Sequence, residues 1–418
     1  MLVAILVLML LLLLGFPFYI AILGSALYLQ IFINQIPISG VFSGLMEGVM
    51  KIPLLAVPYF ILAGCLMIYS SVGDKLAKAI LPWFEGIRGG KALGTVLAMN
   101  VFGAITGSAP AATGSLGRVL LPSIKEDHGE KFAIGLIAST GSLATIMPPS
   151  VNMIVFGAAT ETSVGKLFMA GMIPACIVMV ILGIYCWYSA TKKGIHKKVD
   201  YRESAKYTIK ALPVLLLPVI ILGGIYTGIF TATESAAVSV VYTLFLIIMF
   251  GEFNLKNMKT ATSDSLRLTG QIFILIAAAF VYSNAITLAR IPQAIADMLA
   301  GVSPFLFLLG LNIVLLIAGM FIEPAAAVII FAPLIAPAAV KLGIDLVHLG
   351  IIFASNLAIG MFTPPFGLNL FVLQGILKKP LHEISICVFP FLICYIVAIL
   401  IITYIPQLSL WLPTYLSR

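Results

Sequence analysis

Two proline pairs, Pro148-Pro149 and Pro364-Pro365, interrupt stretches that are otherwise apolar, and small polar residues gather around both. Ser142, Thr145, Ser150 and Asn152 flank the first pair; Thr363 and Asn369 flank the second. Proline lacks an N–H and clashes with the preceding turn, so two in succession end a helix. A helix over about 132–145 and another ending near Thr363 are then predicted to leave their last carbonyls unpaired in an apolar interior, which is costly unless something binds them. A helix C-terminus carries partial negative charge and favours a desolvated cation. The half-helix that starts beyond each break has free N–H groups, which favour an anion. One break therefore supplies cation and anion ligands side by side; the plainer reading is a structural kink.

A second cluster, Gly107-Ser108-Ala109-Pro110 with Thr113, lies between two apolar arms. Its hydroxyls and carbonyls suit Na+ or a substrate hydroxyl, while the plainer reading is close helix packing through small residues. Glu323 occupies the matching tip later in the chain, and an intramembrane carboxylate is a functional candidate by default. It could hold an ion, take up a proton or cap its arm. Glu234 falls near a turn, where capping the next helix is an equal reading. The candidate Na+ ligands are Gly107, Ser108, Ser142, Thr145 and Met147 in the first half, with Glu323, Gly360, Thr363 and Gly367 in the second. The candidate substrate ligands are Ser108, Pro110, Thr113, Ser150, Asn152 and Asn369.

These residues recur in order. Phe60-Ile61-Leu62 returns as Phe273-Ile274-Leu275, Pro110-Ala111-Ala112 as Pro324-Ala325-Ala326, and Ser139 before the first proline pair as Ser355 before the second. Duplicated halves with broken hydrophobic segments in matching places point to the binding site of a secondary transporter. Apolar residues make up 61% of the 418 and charged residues 10%, with mean hydropathy +1.15. That is too little charge to clothe a water-soluble domain, so the chain is expected to be an all-α polytopic membrane protein facing lipid. The net charge of +8 is explained by cytoplasmic loop lysines and implies no nucleic-acid partner.

A crossing helix needs about 20 apolar residues. Crossings are expected near 2–28, 53–71, 131–160, 167–190, 211–229, 233–251, 268–288, 348–376 and 384–412, with re-entrant hairpins at 94–121 and 305–340. Such hairpins are tolerated at membrane depth only when packed in protein or lining a cavity. The segment 34–51 is too polar to span and reads as an interfacial helix or a loop. With loops 73–93, 118–131, 191–210, 252–267 and 377–383 in the cytoplasm, 19 of the 24 Lys and Arg lie on that side, as the positive-inside rule requires. Only Lys51, Lys166, Arg290, Lys341 and Arg418 lie opposite. Equivalent loops of the two halves then face opposite ways, which makes the repeats inverted. The resulting division is an N-terminal scaffold (1–52), a first repeat (53–190), a basic linker with connecting helices (191–267) and a second repeat (268–418).

The four histidines (His128, His196, His348 and His382) fall in loops or at span ends and are expected to be solvated. No HExxH, P-loop or GxSxG motif is present, so no hydrolase or ATPase chemistry is expected. An intramembrane enzyme would need paired Asp or Ser/His residues at membrane depth.

Five stretches carry a resemblance to the large membrane subunit of TRAP (tripartite ATP-independent periplasmic) transporters. They are Leu55 to Gly64, Gly107 to Pro110, Ile146 to Ser150, Gly223 to Thr231, and Asn356 to Val372. The resemblance covers nearly the whole chain. It implies an elevator-type importer driven by Na+, carrying an organic anion such as sialic acid, another sugar acid or a carboxylate, in a bacterial inner membrane. It also implies two partners, a small four-helix membrane subunit and a periplasmic substrate-binding protein. Dicarboxylate-type members usually carry an acidic residue just after the first hairpin tip, where this chain has Ala111-Ala112-Thr113. The rival reading is a stand-alone Na+- or H+-coupled carrier or antiporter of similar build.

Overall fold

The protein is described from a computed structural model covering residues 2–190, 199–299 and 301–416. Lys192 to Lys198, with His196, and Arg418 were assigned to loops or a terminus above and lie outside the described residues. Among the described residues there is no strand, and eight helices are long and apolar enough to cross a membrane.

The N-terminal part departs from the single crossing expected over 2–28. It forms α1 (Leu2–Leu13) and α2 (Phe18–Tyr28), which fold back on one another. Gly15 takes φ +80° and Pro17 follows at the cap of α2, so the chain reverses there. The Ser25 hydroxyl donates to the Ala4 carbonyl at 2.8 Å and fastens the pair. Segment 34–51 contains α3 (Ile38–Val49), which packs on a later helix and joins α4 (Ala56–Ile68) through a 58° bend.

A short amphipathic helix, α5 (Val72–Ile80), leads to the first hairpin, formed by α6 (Gly90–Thr106), α7 (Ala109–Gly114) and α8 (Leu116–His128). Its return arm is divided in two at Gly114-Ser115. Next comes the first broken span: α9 (Glu130–Gly141), α10 (Leu143–Ile146) and, beyond the prolines, α11 (Val151–Thr160). The long helices α12 (Val164–Ser189), α13 (Tyr201–Tyr226) and α14 (Ala232–Met249) precede α15 (Leu255–Leu288). Segment 252–267, expected as a loop, is mostly the start of α15. Its charges keep it out of lipid but do not forbid helix, and the Asn254 side chain caps it by accepting from the Lys256 N–H at 2.9 Å.

The second half follows the same plan with α16 (Ile291–Met298), a hairpin of α17 (Pro304–Phe321) and α18 (Pro324–Lys341), and a span broken into α19 (Leu346–Gly360) and α20 (Leu368–Leu377). It ends with α21 (Leu381–Tyr404) and α22 (Gln407–Leu416), which divide the expected 384–412 crossing at Pro406. Each hairpin packs its first arm on its own broken span, α6 on α10 and α17 on α19. Each return arm packs on the other half's half-helix, α7 on α20 and α18 on α11.

Candidate substrate and cation site

At the first tip, Gly107 ends α6 with φ +59°. A Cβ there would lie 2.8 Å from the Pro149 carbonyl oxygen, so both the backbone conformation and the close approach require glycine. Half-buried Ser108 follows in extended conformation, and Pro110 occupies the first turn of α7, where no N–H is needed. The Gly-Ser-Ala-Pro sequence thereby seats the tip directly on the first proline break.

At that break the expectation of unpaired carbonyls is corrected for Ser142, Leu143 and Thr145. The Ser142 carbonyl accepts twice from Thr145, from its N–H at 3.0 Å and its hydroxyl at 2.7 Å. The Thr145 carbonyl accepts the Ser150 hydroxyl at 2.7 Å, and the Met147 N–H reaches Leu143 at 2.8 Å. Hydroxyl side chains spaced three and five residues along the chain can reach back across the break, which the proline pattern alone does not reveal. The Thr145 carbonyl keeps a second lone pair for another ligand; Ser142 can contribute only its hydroxyl. The second break is closed similarly: Thr363 Oγ1 donates to Ile359 at 2.6 Å, the Gly367 N–H to Thr363 at 3.1 Å, and the Asn369 N–H to Met361 at 2.8 Å.

At the first break a side chain of the second half reaches into the first. Asn369 Nδ2 donates to the Ala138 carbonyl at 2.9 Å and to Ser142 Oγ at 3.0 Å. Its Oδ1 is buried without a hydrogen-bond partner, as is Thr113 Oγ1. Gly141 lies between them: a Cβ would overlap Thr113 Oγ1 and come within 3.3 Å of Asn369 Nδ2. From behind, the Tyr395 hydroxyl donates to the Ser139 carbonyl at 2.7 Å. The tip, the first break and the start of α20 thus converge on two oxygens that hold no hydrogen bond. Ser150 adjoins Gly107, and buried Asn152 stands in the first turn of α11. No hydrogen bond joins either to Thr113 or Asn369 among the described residues. Because Ser150 bonds back to Thr145, it provides no side-chain cap for the first N–H groups of α11.

Of the three readings of Glu323, the geometry fits the cap: the half-buried carboxylate accepts the Ala326 N–H at 3.1 Å. Below that tip, Gly319 and Gly360 meet backbone to backbone, and a Cβ on Gly360 would be 2.5 Å from the Gly319 carbonyl carbon. Phe321 and Phe366 pack with ring centroids 5.6 Å apart. A Cβ on Gly367 would be 2.7 Å from the Met361 carbonyl oxygen. Glu323, Gly360, Thr363 and Gly367 are therefore grouped at the second tip and break. Glu234 is resolved as structural, forming a reciprocal capping box with Thr231.

Gly141, Gly319 and Tyr395 escaped the sequence reading, although the small residues of Ser139-Thr140-Gly141-Ser142 were a usable signal. A further polar chain was also missed. Asn356 donates to Asn312 at 2.7 Å, Asn312 to Thr403 Oγ1 at 3.2 Å, and His348 Nε2 lies 3.1 Å from the Thr403 carbonyl. The expectation that every histidine is solvated fails at His348, which is buried. Helix α21 covers it, a tertiary contact that its place at a span end does not disclose.

The family model described as "Tripartite ATP-independent periplasmic transporter, DctM component" matches residues 5–408. The chain belongs to this family. Among its relatives, the C4-dicarboxylate TRAP transporter large permease protein DctM of Pseudomonas aeruginosa is 41% identical, with 87% of each chain covered. The sialic acid TRAP transporter large permease protein SiaM of Vibrio cholerae is 32% identical, covering 96% of this chain and 95% of the relative. The ectoine permease TeaC of Halomonas elongata is also 32% identical, with 96% of each covered. Two solved transporters share the fold. Alcanivorax borkumensis YdaH has TM-score 0.62 at 13% identity over 90% of each chain. Neisseria gonorrhoeae MtrF has TM-score 0.61 at 12% identity, covering 88% of this chain and 84% of that one. As a TRAP large permease, the chain is a transporter component and not an enzyme.

Proposed function

We propose that the chain is the Na+-coupled permease of a tripartite importer, carrying a small organic anion across the bacterial inner membrane. A periplasmic binding protein delivers the solute, and a small four-helix membrane subunit enlarges the scaffold. The observation that carries this reading is the meeting of Thr113, Gly141, Ser142 and Asn369, where two buried oxygens hold no hydrogen bond. Hydroxyl, amide and carbonyl oxygens fit a hard cation such as Na+, and broken membrane helices place such oxygens at transporter ion sites. Thr113, Asn369 and Thr145 would hold one ion. Gly360, Thr363 and Gly367, with Glu323 above them, would surround a second.

The uncapped start of α11, beside Ser108 and with Asn152 in its first turn, would receive the anionic group of the substrate. The reciprocal packing of α7 on α20 and α18 on α11 supports inverted repeats sharing one mobile body, and so an elevator motion. Excess Na+ over substrate charge adds about 2.3 kcal/mol per net charge per 100 mV of membrane potential, which drives uphill import. The C4-dicarboxylate, sialic acid and ectoine solutes named for its relatives form the substrate panel.

The test is solute uptake into proteoliposomes under an imposed Na+ gradient, with and without the small subunit and binding protein. Uptake is expected only with both partners and inward Na+. Uptake by this polypeptide alone would overturn the tripartite assignment, and uptake indifferent to Na+ would overturn the coupling.

A further inference from the structure

Outside the site, Lys51 occupies an unusual position. It precedes the short 3-10 turn Ile52–Leu55, between α3 and α4. Its ammonium donates to the Ala158 carbonyl, in the last turn of α11, at 2.8 Å, and stands 5.2 Å from the centre of the Phe280 ring on α15. Gly48 lets α3 close on that ring: a Cβ there would be 2.6 Å from Phe280 Cβ. A small cavity of about 40 Å³ remains beside the ammonium, lined by Lys51, Ala158, Phe280, Ser283, Ile329 and others.

Three bodies meet at this point: the N-terminal segment, α15, and the α11–α18 pair. The last-turn carbonyls of a helix carry partial negative charge and favour a cation. Phe280 offers the same ammonium its ring face. Lys51 is thus bound on one side to the broken span and on the other to α15.

We propose that Lys51 is a positioning residue that latches the half-helix α11 to α3 and α15 in the conformation seen here, and must release before α11 and α18 move. This rests on the elevator reading above, taking the hairpins and broken spans, α11 and α18 among them, as the moving body and α3 and α15 as part of the fixed one. Contacts within one body would persist through the cycle; the contact from Lys51 to Ala158 crosses between bodies and would not. Its loss raises the population of the alternative conformation and widens the cleft lined by Ser283.

The experiment uses the assembled transporter in proteoliposomes, with Ser283→Cys as reporter. A membrane-impermeant maleimide labels it, and peptide mass spectrometry reads the modification at that residue. Lys51→Met keeps the aliphatic stem and removes the donor, and is expected to raise the labelling rate roughly tenfold, the factor a charge-assisted hydrogen bond is worth. Lys51→Arg retains a donor and is expected to label like the parent. An unchanged rate in Lys51→Met overturns the latch, as does a rate in Lys51→Arg matching that of Lys51→Met. Failure of the elevator reading shows separately, as a reporter in the Lys51 background whose labelling does not respond to Na+ or substrate. Should Lys51→Met unfold, its thermal transition would fall with it; a parental transition with a raised rate is the result expected.

Discussion

At the scale of single residues, the centre of the molecule depends on groups with no room to vary. Gly141 is the sharpest case, since any side chain would strike Thr113 Oγ1 and crowd the Asn369 amide. Gly141→Ala is expected to lower stability by about 1–3 kcal/mol through overpacking and to abolish uptake; a thermal melt and a transport assay check the two separately. Thr113→Ala and Asn369→Ala are expected to raise the Na+ concentration needed for half-maximal uptake. Asn369→Ala should act more strongly, because it also removes the bonds to Ala138 and Ser142. Parental Na+ dependence in both variants would remove these residues from the site. Much of the candidate site was legible from residue type and spacing: Thr113, Thr145, Ser150 and Asn369 stand out by their place beside prolines and tips. The bonding among them was not, because a hydroxyl that closes a carbonyl and one that waits for a ligand look alike in sequence.

At the scale of elements, small residues set how closely hairpin and broken span approach. Gly103 lies against Ala144 in the first half, with a would-be Cβ 2.8 Å from the Ala144 Cα, and Gly319 against Gly360 in the second. Gly360→Val is expected to push α17 from α19 and lower the thermal midpoint, whereas Gly310→Ala, in open space on α17, is expected to leave it unchanged. The polar ends of elements are tied more loosely. In the loop before α15, Glu252 accepts the Ser71 N–H at 2.8 Å and pairs with Lys75 and the Ser71 hydroxyl. Burial alone would raise its pKa, but the Lys75 and Ser71 hydrogen bonds outweigh burial and hold it below the ordinary carboxylate value of 4.5. A depressed carboxylate stabilises the fold above its unfolded pKa and loses that contribution as pH falls through the folded value. Stability of the solubilised protein is therefore expected to decline as pH drops below about 4.5, and Glu252→Gln to flatten that part of the curve in melts across pH.

At the scale of the whole molecule, the proposed inversion of the two halves makes a topological prediction. Glu126 near the base of the first hairpin and Lys341 at the end of the second are both exposed. In right-side-out vesicles, an impermeant maleimide is expected to label Lys341→Cys directly and Glu126→Cys only after permeabilisation. Labelling of both from the same side would remove the inversion, and with it the opposed hairpins. Sequence by itself determined a great deal here. Scarce charge dictated a lipid-facing helical protein, a recurring order of residues indicated two halves, and proline pairs located the breaks, because each is a local property of the chain. Tertiary structure alone decided that Leu2 to Tyr28 folds back on itself, that His348 is buried under α21, and that Asn369 spans between halves to Ser142. Those outcomes depend on which surfaces meet across separations of 21, 55 and 227 residues, and a linear pattern carries no record of the approach distances that select them.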